Sequence, residues 1–110
     1  MPKAKSSPLL LLTTVAKKAD ATRLAKTLVE ERLAACVSIL PAAESRYAWK
    51  GRLCVEREFV LLIKTLGRAY ARLEKRLRAI HPYECPELIA VPIGRILPAY
   101  LCWLTDQISL

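Results

Sequence analysis

Cys36-Val37-Ser38-Ile39-Leu40-Pro41-Ala42-Ala43-Glu44-Ser45-Arg46-Tyr47-Ala48-Trp49, then Lys50-Gly51, then Arg52 through Thr65, is the stretch that decides the fold. Cys36 to Ile39 reads as a strand. Pro41 interrupts the ladder because it has no N–H to donate, and Ser45 to Trp49 alternates again. Lys50-Gly51 turns the chain, and a second alternating run from Leu53 to Thr65 returns, so the pair is a long β-hairpin. Upstream, Ala21, Leu24, Ala25, Leu28, Val29 and Leu33 recur at helical spacing behind Asp20, a residue suited to cap them. Before that helix, Leu9 to Val15 is a short apolar run that suits a central strand buried on both faces. Downstream, Tyr70, Leu73, Leu77 and Ile80 form one apolar stripe on a helix that Pro82 stops. Glu87 to Ile93 supplies the last strand. Pro98 opens a final short helix whose Tyr100, Leu101, Leu104 and Ile108 are expected to face inward. Two right-handed crossovers around a hairpin leave one economical arrangement. It is an α+β, ferredoxin-like βαββαβ sandwich with a four-stranded antiparallel sheet of order 4-1-3-2, both helices on one face and an extra C-terminal helix.

The chain has 110 residues, 54% of them apolar, which is enough for one packed core. Residues 1–7 are expected to be a flexible extension and residues 8–110 a single domain. Each hairpin arm could reach about 45 Å at ~3.3 Å per residue, whereas a compact chain of this size has a radius of gyration near ~13 Å. The tip must bend or protrude. It carries Tyr47, Trp49, Leu53 and Val55, and exposed apolar strands of that kind invite pairing with another chain. A closed homo-oligomer bridged by these arms follows, with Pro41 at the bend or bulge where the arm leaves its own sheet.

No apolar run approaches the roughly 20 residues of a membrane-spanning helix, so no membrane partner is expected. Met1-Pro2-Lys3-Ala4-Lys5 is basic, but Leu9 to Leu12 is shorter than the roughly 7–15-residue core of an export signal. The four cysteines are then reduced thiols in a cytoplasm. The formal charge of +8 favours anionic partners. Much of it sits on Arg68, Arg72 and Arg76, an i, i+4, i+8 stripe read as a solvated helix face with a Glu74–Arg78 pair. The same string of elements describes RNA-recognition modules, but their stacking aromatics are missing: Leu9 to Val15 has none and the third strand offers only Phe59. An RNA-binding module is therefore only a runner-up reading, and nucleic acid is not the expected partner.

Glycines stand only at 51, 67 and 94, so neither G-x-G-x-x-G nor a Walker loop can be written. One histidine excludes H-E-x-x-H, and no strand-turn-helix elbow supports a Ser-His-Asp set. The densest polar cluster is His81-Pro82-Tyr83-Glu84-Cys85-Pro86-Glu87, where two prolines limit the entropy lost on holding an imidazole, a phenol, two carboxylates and a thiol. His81 and Cys85 are donors that copper or zinc prefer, with Cys36 a further thiol. The structural alternative has His81 neutralising the carbonyl end of the second helix and Glu84 or Glu87 pairing with Lys64. Tyr47, Trp49 and Trp103 suit interface anchors as well as ligand platforms.

Val29-Glu30-Glu31-Arg32-Leu33-Ala34-Ala35-Cys36-Val37-Ser38, Tyr47-x-Trp49-x-Gly51, Leu62-Ile63-Lys64-Thr65, His81-Pro82-Tyr83-Glu84-x-Pro86-Glu87 and Tyr100-Leu101-x-Trp103-Leu104 together resemble the CutA family of divalent-cation tolerance proteins. The resemblance implies a cytoplasmic, non-enzymatic homotrimer, PII-like in shape, linked to tolerance of copper and other divalent metal ions. The family's proposed copper ligands fall at Thr13, Ile80 and His81 here, and only His81 keeps a metal donor. Cys85 offers a thiolate near it, which makes His81 and Cys85 the candidate metal ligands, with no other cofactor implied. The expected ligand cleft, at a subunit boundary, is lined by Tyr47, Trp49, Lys64, Tyr83 and Glu84 beside His81. An alternative occupant is a small anionic metabolite held by Lys64, as in a PII-like signalling trimer.

Overall fold

The structure, a computed structural model, describes residues 6–110. Its elements are β1 (Pro8–Val15), α1 (Lys18–Glu30), β2 (Cys36–Trp49), β3 (Arg52–Leu66), α2 (Tyr70–Ile80, entered through the 3-10 turn Gly67–Ala69), β4 (Ile89–Pro92) and α3 (Pro98–Gln107). The sheet order is β2-β3-β1-β4 with every pair antiparallel, the 4-1-3-2 order expected from the two crossovers. Of the expected extension, residues 1–5 lie outside the described residues. The Ser7 carbonyl accepts the Gly67 N–H at 2.9 Å.

Leu11, Val15, Leu61 and Ile63 project from the sheet onto Leu24, Leu28, Leu73 and Leu77 of α1 and α2, and all are fully buried. A second cluster joins Leu66, Ala69, Leu104 and Ile108, which docks α3 at the other end of the sheet. Tyr100, expected to face inward, is exposed instead, and its ring lies 5.6 Å from that of Trp103 on the outer side of α3. On the opposite face α3 covers only the end at Leu66, and no helix lies over the rest. Because side chains alternate along a strand, Leu10 and Leu12 share that face with Leu62, Leu40, Ile89 and Val91. The last three are exposed, so β1 is covered on one face only and not on both as its apolar run suggested.

The hairpin carries two local devices. Lys50 and Gly51 both have positive φ, 51° and 77°, which is the two-residue turn whose twist matches the flanking strands. Between Leu40, opposite Val60, and Ala43, opposite Glu58, β2 holds one residue more than β3, with Ala42 at φ 62°. Pro41 thus sits in a bulge, as its missing N–H requires. The extra residue reverses the alternation beyond it, so Ser45, Tyr47 and Trp49 lie on the same face as Glu58 and Leu40. The molecule is 44 Å long, and Leu53 near the tip is 93% exposed.

Three expectations for the helices change. Asp20 is not the cap: that position is taken by Lys17, three residues earlier, and Asp20 sits in the first turn, where its carboxylate accepts from Arg23 at 3.1 Å. Val29 is exposed, because α1 ends at Glu30 in a Schellman-type close in which Arg32, φ 59°, and Leu33 donate to Val29 O and Leu28 O. The Arg32 guanidinium then donates to the Asp106 and Gln107 carbonyls at 2.6 and 3.0 Å, tying α1 to the end of α3. The basic stripe stays at the surface, with Arg72 exposed, but it also clamps other elements. Arg68 and Arg72 donate to the Thr105, Ile108, Ser109 and Leu110 carbonyls, and Arg76 forms a two-pronged pair with Glu31. No Glu74–Arg78 pair forms among the described residues.

Candidate functional site

The strand β4 pairs only from Ile89, two residues later than the sequence suggests, because Pro82 to Leu88 leaves the sheet after α2 and runs beside the hairpin. Between that segment and the near half of the hairpin lies a cavity of about 690 Å³, lined by Thr14 of β1, Ser45, Arg46, Tyr47 and Trp49 of β2, Glu58 of β3, and Pro82, Tyr83, Glu84, Cys85 and Glu87. Tyr47, Trp49, Tyr83 and Glu84, expected at the ligand cleft, and Cys85, expected as a metal donor, therefore all border this cavity. The bulge at Pro41 brings the two hairpin aromatics to it.

Glu58 anchors the cavity. It is 5% exposed, and its Oε2 accepts the Tyr83 hydroxyl at 2.6 Å, a length typical of a charge-assisted bond. Oε1 has no hydrogen-bond partner among the described residues. Burial first, then the bond to Glu58, pushes the Tyr83 phenol well above its ordinary value. Burial, reinforced by Glu58, also raises the Glu87 carboxyl. Sequence reasoning missed Glu58. Its signal was its place on the open face at the start of the apolar run Phe59 to Ile63.

Two expected members stand outside the cavity. Lys64 lies further along the open face, where its Nζ donates to Ser38 Oγ at 2.6 Å and stands 3.8 Å from Cys36 Sγ. It pairs with neither Glu84 nor Glu87. His81 is 8% exposed beneath Tyr83, their rings 4.9 Å apart and edge on. Its Nδ1 accepts the Tyr83 backbone N–H at 3.1 Å, which places the proton on Nε2; Nε2 donates to Thr14 O at 3.1 Å, with Thr13 Oγ1 at 3.2 Å. Burial is the main cause of its lowered pKa. The carbonyl end of α2 is served by Arg23, which donates to Ile80 O at 2.8 Å, and not by His81.

A copper ion at His81 would have to displace either the Tyr83 N–H or the Thr14 carbonyl. Cys85 is exposed and lines the cavity, whereas His81 does not. Among the described residues no three His, Cys, Asp or Glu side chains stand close enough to hold a metal ion. In this conformation the donors do not fit one.

A family model described as CutA1 divalent ion tolerance protein matches residues 9–107. The divalent-cation tolerance protein CutA of Thermus thermophilus is 44% identical over 98 residues, covering 89% of this chain and 95% of that one. A crystal structure of CutA from Xylella fastidiosa superposes with a TM-score of 0.91 at 41% identity, covering 94% of this chain and 99% of that one. The structure described as a periplasmic divalent cation tolerance protein CutA from Archaeoglobus fulgidus follows at 0.89 and 32%, with 93% and 99% covered. The chain spans 55% and 52% of the longer Xenopus laevis and Mus musculus relatives.

Proposed function

The chain belongs to the CutA1 divalent ion tolerance family, and from that premise we propose that it acts by binding and not by catalysis, as a homotrimer whose cavity beside segment 81–87 takes a ligand. The uncovered sheet face carries the proposal of self-assembly. Leu40, Ile89 and Val91 are exposed there beside half-buried Leu10, Leu12 and Leu62, and on the other face of the hairpin tip Leu53 and Val55 are exposed as well. An apolar surface this continuous is costly to leave in water and is a strand template as well. A second copy of the same chain, which brings the same arms, satisfies it with closed symmetry.

The same premise links the chain to divalent cations. His81 and Cys85 fit a copper ion only after segment 81–85 rearranges, so no step is routed through a metal. Four unpaired cysteines suit a reducing compartment such as the cytoplasm, and among the described residues no helix is long and apolar enough to cross a membrane.

The test is a charge on the open face. A Leu40→Lys, Val91→Lys protein should shift from a particle of about 37 kDa, three copies of a 12.3 kDa chain, toward the single chain while keeping its far-UV circular dichroism. An unchanged mass in that variant would overturn the open face as the interface.

A further inference from the structure

The cavity wall carries three carboxylates, Glu58, Glu84 and Glu87, against one guanidinium, and that guanidinium, Arg46, is already paired with Glu44 at 2.7 Å. Lys64 gives its ammonium to Ser38 elsewhere on the sheet. The cavity is therefore short of positive charge although the chain as a whole has a formal charge of +8. Its remaining lining is aromatic: Tyr47, Trp49 and Tyr83. The carboxylates do not converge as a metal site among the described residues, and a space of about 690 Å³ is the size of an organic ligand.

Carboxylates set among aromatic rings are the chemistry that holds a soft organic cation. The ring quadrupole attracts the charge, and the carboxylate takes the N–H groups. The chain already makes one such contact at this wall, since Lys50 Nζ stands 5.9 Å from the centroid of the Trp49 ring. A hard, strongly hydrated metal ion gains little from indole, whereas an alkylammonium or guanidinium gains from both kinds of wall. Glu58 is the anchor. More than nine-tenths buried, it is held in place through Oε2 by Tyr83, while Oε1 has no partner among the described residues.

Resting on the reading of this cavity as the ligand site, we propose that it binds a small organic cation, an alkylammonium or guanidinium, with Glu58 Oε1 accepting its N–H groups and Tyr47, Trp49 and Tyr83 enclosing it. Light scattering on the same samples reports the particle size, so that loss of ligand binding is told apart from loss of assembly.

The experiment is a fluorescence titration of the Trp103→Phe protein, in which Trp49 is the only indole, at neutral pH, low salt and with EDTA present. The probes are agmatine, n-butylammonium, sodium butyrate as the anion and n-pentanol as the neutral control. Saturable signals are expected for the two cations and not for butyrate or pentanol. Glu58→Gln should weaken agmatine about tenfold or more, by loss of the buried charge. If that variant does not fold, Glu84→Gln, on the exposed wall, should weaken it about threefold. Saturation by butyrate or pentanol but not by the cations, or cation affinity unchanged in the folded glutamine variant, would overturn the proposal.

Discussion

Replacing Tyr83 with phenylalanine removes one hydroxyl and leaves the Glu58 carboxylate, 5% exposed, without the donor that now stands 2.6 Å from Oε2. A hydrogen bond to a charged group contributes roughly 1.5–3 kcal/mol, and leaving the partner buried and unpaired accounts for much of that. Glu58 borders the cavity, so water can reach the vacated oxygen and the lower end applies, about 1.5 kcal/mol. With a urea slope of about 1.5 kcal/mol per molar for a chain of this size, the unfolding midpoint should fall by about 1 M. The measurement is urea unfolding at one fixed protein concentration, since an assembling protein gains apparent stability by mass action. Glu58→Leu and the double variant complete a thermodynamic cycle. If Tyr83 acts through Glu58, its hydroxyl should matter little once the carboxylate is gone, giving a coupling of about 1–1.5 kcal/mol. A coupling within about 0.3 kcal/mol of zero would refute the anchored geometry of the cavity.

Arg32 holds a left-handed backbone and two tail carbonyls at once. Arg32→Ala should lower stability by about 1–2 kcal/mol in urea unfolding, and Arg32→Gly by about 1 kcal/mol less, because glycine adopts that φ freely; a glycine variant no better than alanine would contradict the reading. Burial holds the folded His81 below its ordinary 6.5. The unfolded chain therefore takes up a proton first as pH falls. The stability that His81 gives is complete above 6.5 and is lost as pH drops toward the folded value. The raised Glu87 carboxyl works in the opposite sense at lower pH, so the comparison is wild type against His81→Gln between about pH 7.5 and 5.5. The wild type should lose more stability over that range. Parallel curves would count against the buried neutral imidazole.

The hairpin, the four strands and their order were legible because alternation, a Lys-Gly turn and two helical stripes agree on one topology. Coverage of the sheet was not legible. Leu9 to Leu12 is apolar at every position, so the two faces of β1 look alike, and only the placement of both helices reveals that Leu10 and Leu12 face outward. The cavity was half legible. Tyr83, Glu84 and Cys85 are rigid neighbours in sequence, but whether Tyr47 and Trp49 reach them depends on one extra residue near Pro41, and a bulge's register is not written in composition. Lys64 was assigned to the cleft for its charge. Its cross-strand partner, Cys36, and the nearby Ser38 decided where it went. The hold of Arg68 and Arg72 on the tail was not legible because the tail lies some forty positions away along the chain.

The bare sheet face, the bulge that keeps the hairpin aromatics on that side and the projecting apolar tip all converge on self-association. Light scattering of the wild-type protein at micromolar concentration tests it most directly. It should give a particle of about 37 kDa, three chains of 12.3 kDa. A stable particle of 12.3 kDa would contradict it.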